Sequence, residues 1–99
     1  MKFSHIENII NVVKKYPIQK AGVFGSFARG EDAINSDVDI MIEFKRDANL
    51  FINFYDLWDD LETILERKVD LLQYSVLTKS TKQKLRENIL KDLKWFYEA

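Results

Sequence analysis

The chain has 99 residues, 46% of them hydrophobic, with seven Phe, four Tyr and two Trp, which is material for one small core and excludes both disorder and a catalytic domain with a separate substrate domain. Fifteen Lys and Arg nearly cancel sixteen Asp and Glu, so a net charge of -1 gives no whole-molecule attraction to a polyanion. The absence of cysteine excludes a disulfide framework and a thiolate zinc site, and a single His excludes a multi-histidine metal cluster; both fit a reducing cytoplasm.

The N-terminal residues enter an amphipathic pattern directly, with no apolar signal core and no stretch long enough to cross a bilayer, so no membrane association is expected. Ser4 with Glu7 fits a capping box, and Ile6, Ile9, Ile10 and Val13 recur at helical spacing until Pro17 forbids continuation. Ala21 to Phe24 predicts a buried strand that stops at Gly25-Ser26, with a short helix from about Phe27. Glu31 to Ser36 reads as a loop. Asp37, Asp39, Met41 and Glu43 then alternate with Val38, Ile40, Ile42 and Phe44, which predicts a strand with the apolar set on the core and both aspartates on the other face.

After a polar connector from Lys45 to Asn49, Leu50, Phe54, Leu57, Trp58, Leu61, Ile64 and Leu65 step by three and four along a long helix that Glu66-Arg67-Lys68 ends. Val69 to Tyr74 predicts another strand, with Asp70 inside it. Ser80 and Gln83 repeat the capping pattern ahead of Leu85, Ile89, Leu93 and Phe96, which predicts a terminal helix. No linker, repeat or low-complexity tract divides the chain, so residues 1–99 are expected to form one domain of α/β (α+β) class, a small sheet flanked by helices. Strand directions stay open.

Three features carry chemistry. Gly25-Ser26 lies where a strand passes into a helix, a place where free backbone N–H groups favour a phosphate, and Arg29 follows one turn on. Such a dipeptide is also a common turn and N-cap. Asp37 and Asp39 put two carboxylates on one strand face, where their repulsion is relieved by solvent or by a hard cation such as Mg²⁺. Asp70 interrupts an apolar segment and needs a partner or water; if its strand neighbours that of Asp39, the three carboxylates form a cluster suited to two metal ions.

Gly25-Ser26, ten residues, then Asp37-Val38-Asp39 resembles the Gly-Ser-x10-Asp-x-Asp signature of the DNA polymerase β-like nucleotidyltransferase superfamily. The fuller string Gly-Ser-Phe-Ala-Arg-Gly with Ser-Asp-Val-Asp resembles its smallest members, the minimal nucleotidyltransferases (MNT) that act as antitoxins beside HEPN-domain toxins. Asp70 stands where that family has its third carboxylate. The resemblance implies a mixed sheet flanked by helices, and Mg²⁺-dependent transfer of a nucleoside monophosphate from a triphosphate to a hydroxyl. It implies that Gly25 and Ser26, aided by Arg29, hold phosphates, and that Asp37, Asp39 and Asp70 hold two Mg²⁺ ions, Asp70 also taking the acceptor's proton. For the antitoxin branch it implies ATP as donor and a tyrosine of the HEPN toxin as acceptor. No extra substrate-gripping domain is expected in so short a chain, which favours a protein acceptor.

Two other readings stay open. Phe54, Tyr55 and Trp58, and Trp95, Phe96 and Tyr97, would put rings on two helices and suit a subunit that neutralises a toxin by contact alone, although their spacing also follows a buried stripe. Between Lys79 and Lys94 six basic residues face two acids, which would suit an RNA end or a small anionic acceptor, but no nucleic-acid-binding motif accompanies them and direct nucleic-acid binding is not expected. The donor base and a homo-oligomer are likewise open. His5 has no functional assignment and is expected at the surface.

Overall fold

The computed structural model describes residues 3–31, 36–48 and 50–99. Helix α1 (Phe3–Val13) buries Ile9, Val12 and Val13 and gives way to a turn that ends in Pro17. The Ser4 side chain, and with it the expected capping box, lies outside the described residues. Strand β1 (Ile18–Val23) begins three residues earlier than the apolar run alone predicts, because Ile18 is fully buried while Gln19 and Lys20 mask the alternation. Helix α2 (Gly25–Arg29) follows at once, two residues sooner than expected. Residues 32–35, most of the predicted loop, are not described.

Strand β2 (Val38–Phe44) and helix α3 (Leu50–Leu65) fall where the periodicity puts them, and strand β3 (Val69–Gln73) starts at Val69 as predicted. Three corrections follow. Tyr74 does not prolong β3 but opens a short helix, α4 (Tyr74–Thr78), whose Leu77 is buried. The terminal helix, α5 (Gln83–Asp92), stops before Leu93, and Lys94–Glu98 form strand β4. Phe96 and its aromatic neighbours are therefore in a strand, which suits the β preference of Trp-Phe-Tyr once a sheet edge is available. The Ser80 cap is displaced as well: Lys82 is the N-cap without a side-chain cap bond, and the Ser80 hydroxyl accepts the Lys82 N–H at 3.2 Å, ahead of the helix.

The sheet is mixed, in the order β3-β2-β1-β4, with β1 antiparallel to β2 and β4 and with β2 parallel to β3. On one face Val38, Ile40 and Ile42 of β2, Ala21 and Val23 of β1, and Val69 and Leu71 of β3 pack against Ile9, Val13, Leu57 and Leu61 of α1 and α3. On the other face a smaller cluster of Phe24, Met41 and Leu77 is covered by α4 and α5. Met41 is fully buried there, so the face of β2 that carries Asp39 is partly covered by apolar packing. Gly22 permits β4 to approach: a Cβ at that position would lie 2.5 Å from the Lys94 carbonyl oxygen and 3.0 Å from the Trp95 Cα.

Candidate active site

The parallel register of β2 and β3 sets Asp39 opposite Asp70, with Val38 opposite Val69. Side chains at paired positions of neighbouring strands point to the same face, so the two carboxylates emerge together, beside the buried Met41. Asp37 is exposed and lies one residue before β2, in irregular chain rather than on the strand face the alternation suggested.

Gly25 faces this pair. The chain leaves β1 through extended Phe24 (φ -141°, ψ -175°), whose N–H donates to the Asp39 carbonyl at 3.0 Å, and Gly25 then turns with φ 63°. That left-handed value suits glycine. A Cβ built on Gly25 would fall on the Asp39 carboxylate, Oδ2 being its nearest atom, so glycine is required twice over. The turn at Gly25-Ser26, expected to favour a phosphate, thus lies directly against the carboxylate of Asp39, with no room for a side chain between them.

The electrostatics follow from this crowding. Burial, then the negative charges of Asp70 and Asp37, push the Asp39 carboxyl up to about 6, against a smaller downward pull from Arg29. A partly buried carboxylate with two like-charged neighbours is stabilised by a cation. The donors are all oxygens, and two adjacent carboxylates completed by phosphate and water suit Mg²⁺. No group of three His, Cys, Asp or Glu side chains among the described residues is drawn together as a metal-holding set, so Asp39 and Asp70 are the closely placed pair and Asp37 stands at their margin.

Arg29 ends α2 in two ion pairs, with Glu31 at 3.0 Å and with Asp92 of α5 at 2.5 Å. It joins α2 to α5 and also acts on Asp39 through its field. Sequence reasoning overlooked Arg67. Its Nε and a terminal nitrogen both donate to the Ser36 carbonyl, at 3.1 and 2.6 Å, and its guanidinium lies 5.8 Å from the Phe27 ring centre. It therefore fixes the backbone just ahead of Asp37. In the sequence it was one charge in a helix-ending triplet, with nothing to mark its partner 31 residues away.

The remaining candidates weigh less. Tyr55 is 69% exposed and stacks on Trp58, whereas Phe54 and Trp58 pack against the core. Two of the six basic residues between Lys79 and Lys94 serve the fold: Arg86 bonds the Ser80 carbonyl at 2.6 Å and Lys94 the Ala28 carbonyl at 3.1 Å. His5 is not a free surface residue, for its ring lies 5.7 Å from that of Phe27 and its Nδ1 is buried without a hydrogen-bond partner among the described residues. Among those residues no helix is long and apolar enough to cross a membrane.

A family model described as "Polymerase beta, Nucleotidyltransferase" matches residues 7–99. The protein adenylyltransferase MntA of Thermococcus cleftensis is 33% identical over 98 residues, covering 94% of this chain and 94% of that protein. A crystal structure of a toxin-antitoxin with AMP-PNP contains a chain that superposes with a TM-score of 0.71 at 22% identity, over 94% of this chain and 73% of its own. The complex of tri-AMPylated Shewanella oneidensis HEPN toxin with MNT antitoxin contains one with a TM-score of 0.67 at 19% identity, over 100% and 74%. At these identities the two structures speak to the fold, which is the small mixed sheet with helices described above.

Proposed function

This chain belongs to the Polymerase beta nucleotidyltransferase family, and on that premise we propose that it transfers AMP from ATP to a hydroxyl group of a partner protein, releasing pyrophosphate. The observation that carries the proposal is the contact between the Gly25 turn and Asp39, with Asp70 in register beside it. A turn able to take phosphate oxygens and an acidic pair lie within one nucleotide's reach.

In this reading the backbone at Gly25 and the Ser26 hydroxyl hold the β and γ phosphates, with Arg29 as an additional anion contact. The acceptor oxygen forms a bond to the α phosphorus as the α–β bridging bond breaks; the hydroxyl proton passes to Asp70, which is exposed and open to an incoming group. Two Mg²⁺ ions, held by Asp37, Asp39 and Asp70, would neutralise charge on the triphosphate and on the departing pyrophosphate. Asp39, crowded and partly desolvated, gains most from that charge.

The name of the Thermococcus relative supports a protein acceptor and an adenylyl donor. The AMPylated HEPN toxin held by an MNT antitoxin supports a HEPN-type toxin as the partner; the same reading takes that toxin as an RNase, a tyrosine hydroxyl on it as the acceptor, and this chain as its antitoxin in the cytoplasm. The test is the intact mass of a HEPN-type partner protein after incubation with this protein, Mg²⁺ and ATP. Increments of AMP are expected with the wild type and none with Asp39→Asn. An unmodified partner that is nevertheless inhibited would overturn the catalytic reading in favour of neutralisation by contact.

A further inference from the structure

Asp70 sits on an edge strand, where only one side of the backbone is held by a neighbour. In a parallel ladder, successive residues direct their N–H and C=O groups to alternate sides. The Val38 N–H donates to the Lys68 carbonyl at 2.9 Å, so Lys68 and Asp70 face β2 and Val69 faces outward. Unpaired edge groups of that kind are free to fray.

Val69 is not left to water. The Trp58 indole Nε1–H donates to its carbonyl at 2.7 Å, and its N–H donates to Glu62 Oε2 at 2.9 Å. Trp58 and Glu62 are four residues apart on α3 and so lie on one helical face. Together they satisfy both backbone groups of the residue that precedes Asp70, as a further strand would. Trp58 is anchored in turn by packing on the core, edge-on to Phe54 at 5.7 Å.

We infer that Trp58 and Glu62 are positioning residues for the transfer reaction: they clamp the edge strand at Val69 and thereby hold Asp70 in register with Asp39. The inference rests on the nucleotidyltransferase reading for its catalytic consequence and on the two hydrogen bonds for its geometry. Glu62 acts as a hydrogen-bond acceptor, not through its charge, so Glu62→Gln keeps the clamp whereas Glu62→Ala opens half of it. Trp58→Phe keeps most of the ring packing and removes the donor.

Two readouts test it on the full chain. In steady-state transfer, Glu62→Ala and Trp58→Phe lower kcat about 10- to 100-fold, the scale of a reacting group displaced by about 1 Å, with KM for ATP within about twofold of wild type because Gly25 and Ser26 are untouched. Glu62→Gln restores kcat to near the wild-type value. In backbone amide hydrogen exchange, the wild type protects Val69 although its N–H faces away from β2, and Glu62→Ala loses that protection while β1 and β2 keep theirs. Unchanged kcat in both variants, a loss of kcat in Glu62→Gln equal to that in Glu62→Ala, or a Val69 amide that exchanges freely in the wild type would each overturn the clamp. A wild type that transfers nothing refutes the nucleotidyltransferase reading instead, and the exchange pattern alone then decides the clamp.

Discussion

The two faces of β2 are built from alternate residues of one seven-residue strand, yet they do opposite things. Val38, Ile40 and Ile42 are fully buried under α1 and α3 and face only other hydrocarbon. Asp39, between two of them in sequence, is pressed between the Gly25 turn and the charge of Asp70 and pays for its position with a raised proton affinity. One face is wholly packed, and the other carries, beside the buried Met41, the carboxylates proposed to act in the transfer. A site built on a strand whose reverse face is tightly packed can tolerate that strain, because the packing fixes the backbone whatever the carboxylates do.

The division can be broken from either side. The largest effect is expected from Asp39→Asn, which should lower the transfer rate by on the order of 10³-fold while the circular dichroism spectrum stays native, since it removes charge where charge develops in the reaction. Retention of a tenth or more of wild-type activity would detach Asp39 from the chemistry. Leu61→Ala, on the packed face, should cost about 2 to 5 kcal/mol in urea unfolding, because a fully buried side chain leaves a cavity. Its transfer rate, measured where it is still folded, should stay within about threefold of wild type.

Gly25→Ala crosses the boundary between the two faces. The new methyl group would sit in a left-handed backbone and against the Asp39 carboxylate, so about 1 to 2 kcal/mol of stability should be lost and transfer reduced by more than about tenfold. A variant with normal activity would show that the turn does not need its contact with Asp39.

The smallest effect is the most diagnostic of stored strain. Asp39 has its folded-state value raised to about 6, above the ordinary carboxylate value of an unfolded chain, so the native state binds the extra proton between about pH 4 and 6. Its contribution to stability is therefore retained below that window and lost as pH rises through 6. Asp39→Asn removes the penalty. The variant should be more stable than wild type at pH 8 by about 1 kcal/mol, after allowing for solvent screening of a partly exposed group, and no more stable at pH 4. Thermal melts at the two pH values check this, with about 4 to 8 °C expected at pH 8.

Much of this was legible in the sequence because its period and its geometry coincide. Alternation at Val38, Ile40 and Ile42 is the strand's own period, and the three-four spacing from Leu57 to Leu65 is that of α3. Asp39 stood out as one of two carboxylates spaced for one strand face, Asp70 because it breaks an apolar run, and Gly25-Ser26 because it stops one. Their adjacency was a matter of resemblance and conditional reasoning, since strand order does not follow from local pattern.

What was misread depends on partners far away in the chain. Ile89, Leu93 and Phe96 keep helical spacing, yet β1 offers a free edge and the Lys-Trp-Phe-Tyr-Glu segment takes it, with Gly22 leaving the room. The burial of Met41 depends on Leu77 of a five-residue helix that the apolar run through Tyr74 concealed. The ring of His5 packs on Phe27, and Arg67 reaches back to Ser36. None of these contacts leaves a periodic trace.

Labelled ATP tests the central assignment most directly. With the label on the α phosphate, the partner protein should become radioactive in the presence of wild-type protein and Mg²⁺, and should stay unlabelled with Asp39→Asn. With the label on the γ phosphate, all radioactivity should remain with nucleotide and pyrophosphate. Transfer of the γ label to the partner, or α labelling that survives Asp39→Asn, would contradict nucleotidyl transfer at the Gly25 turn and the Asp39–Asp70 pair.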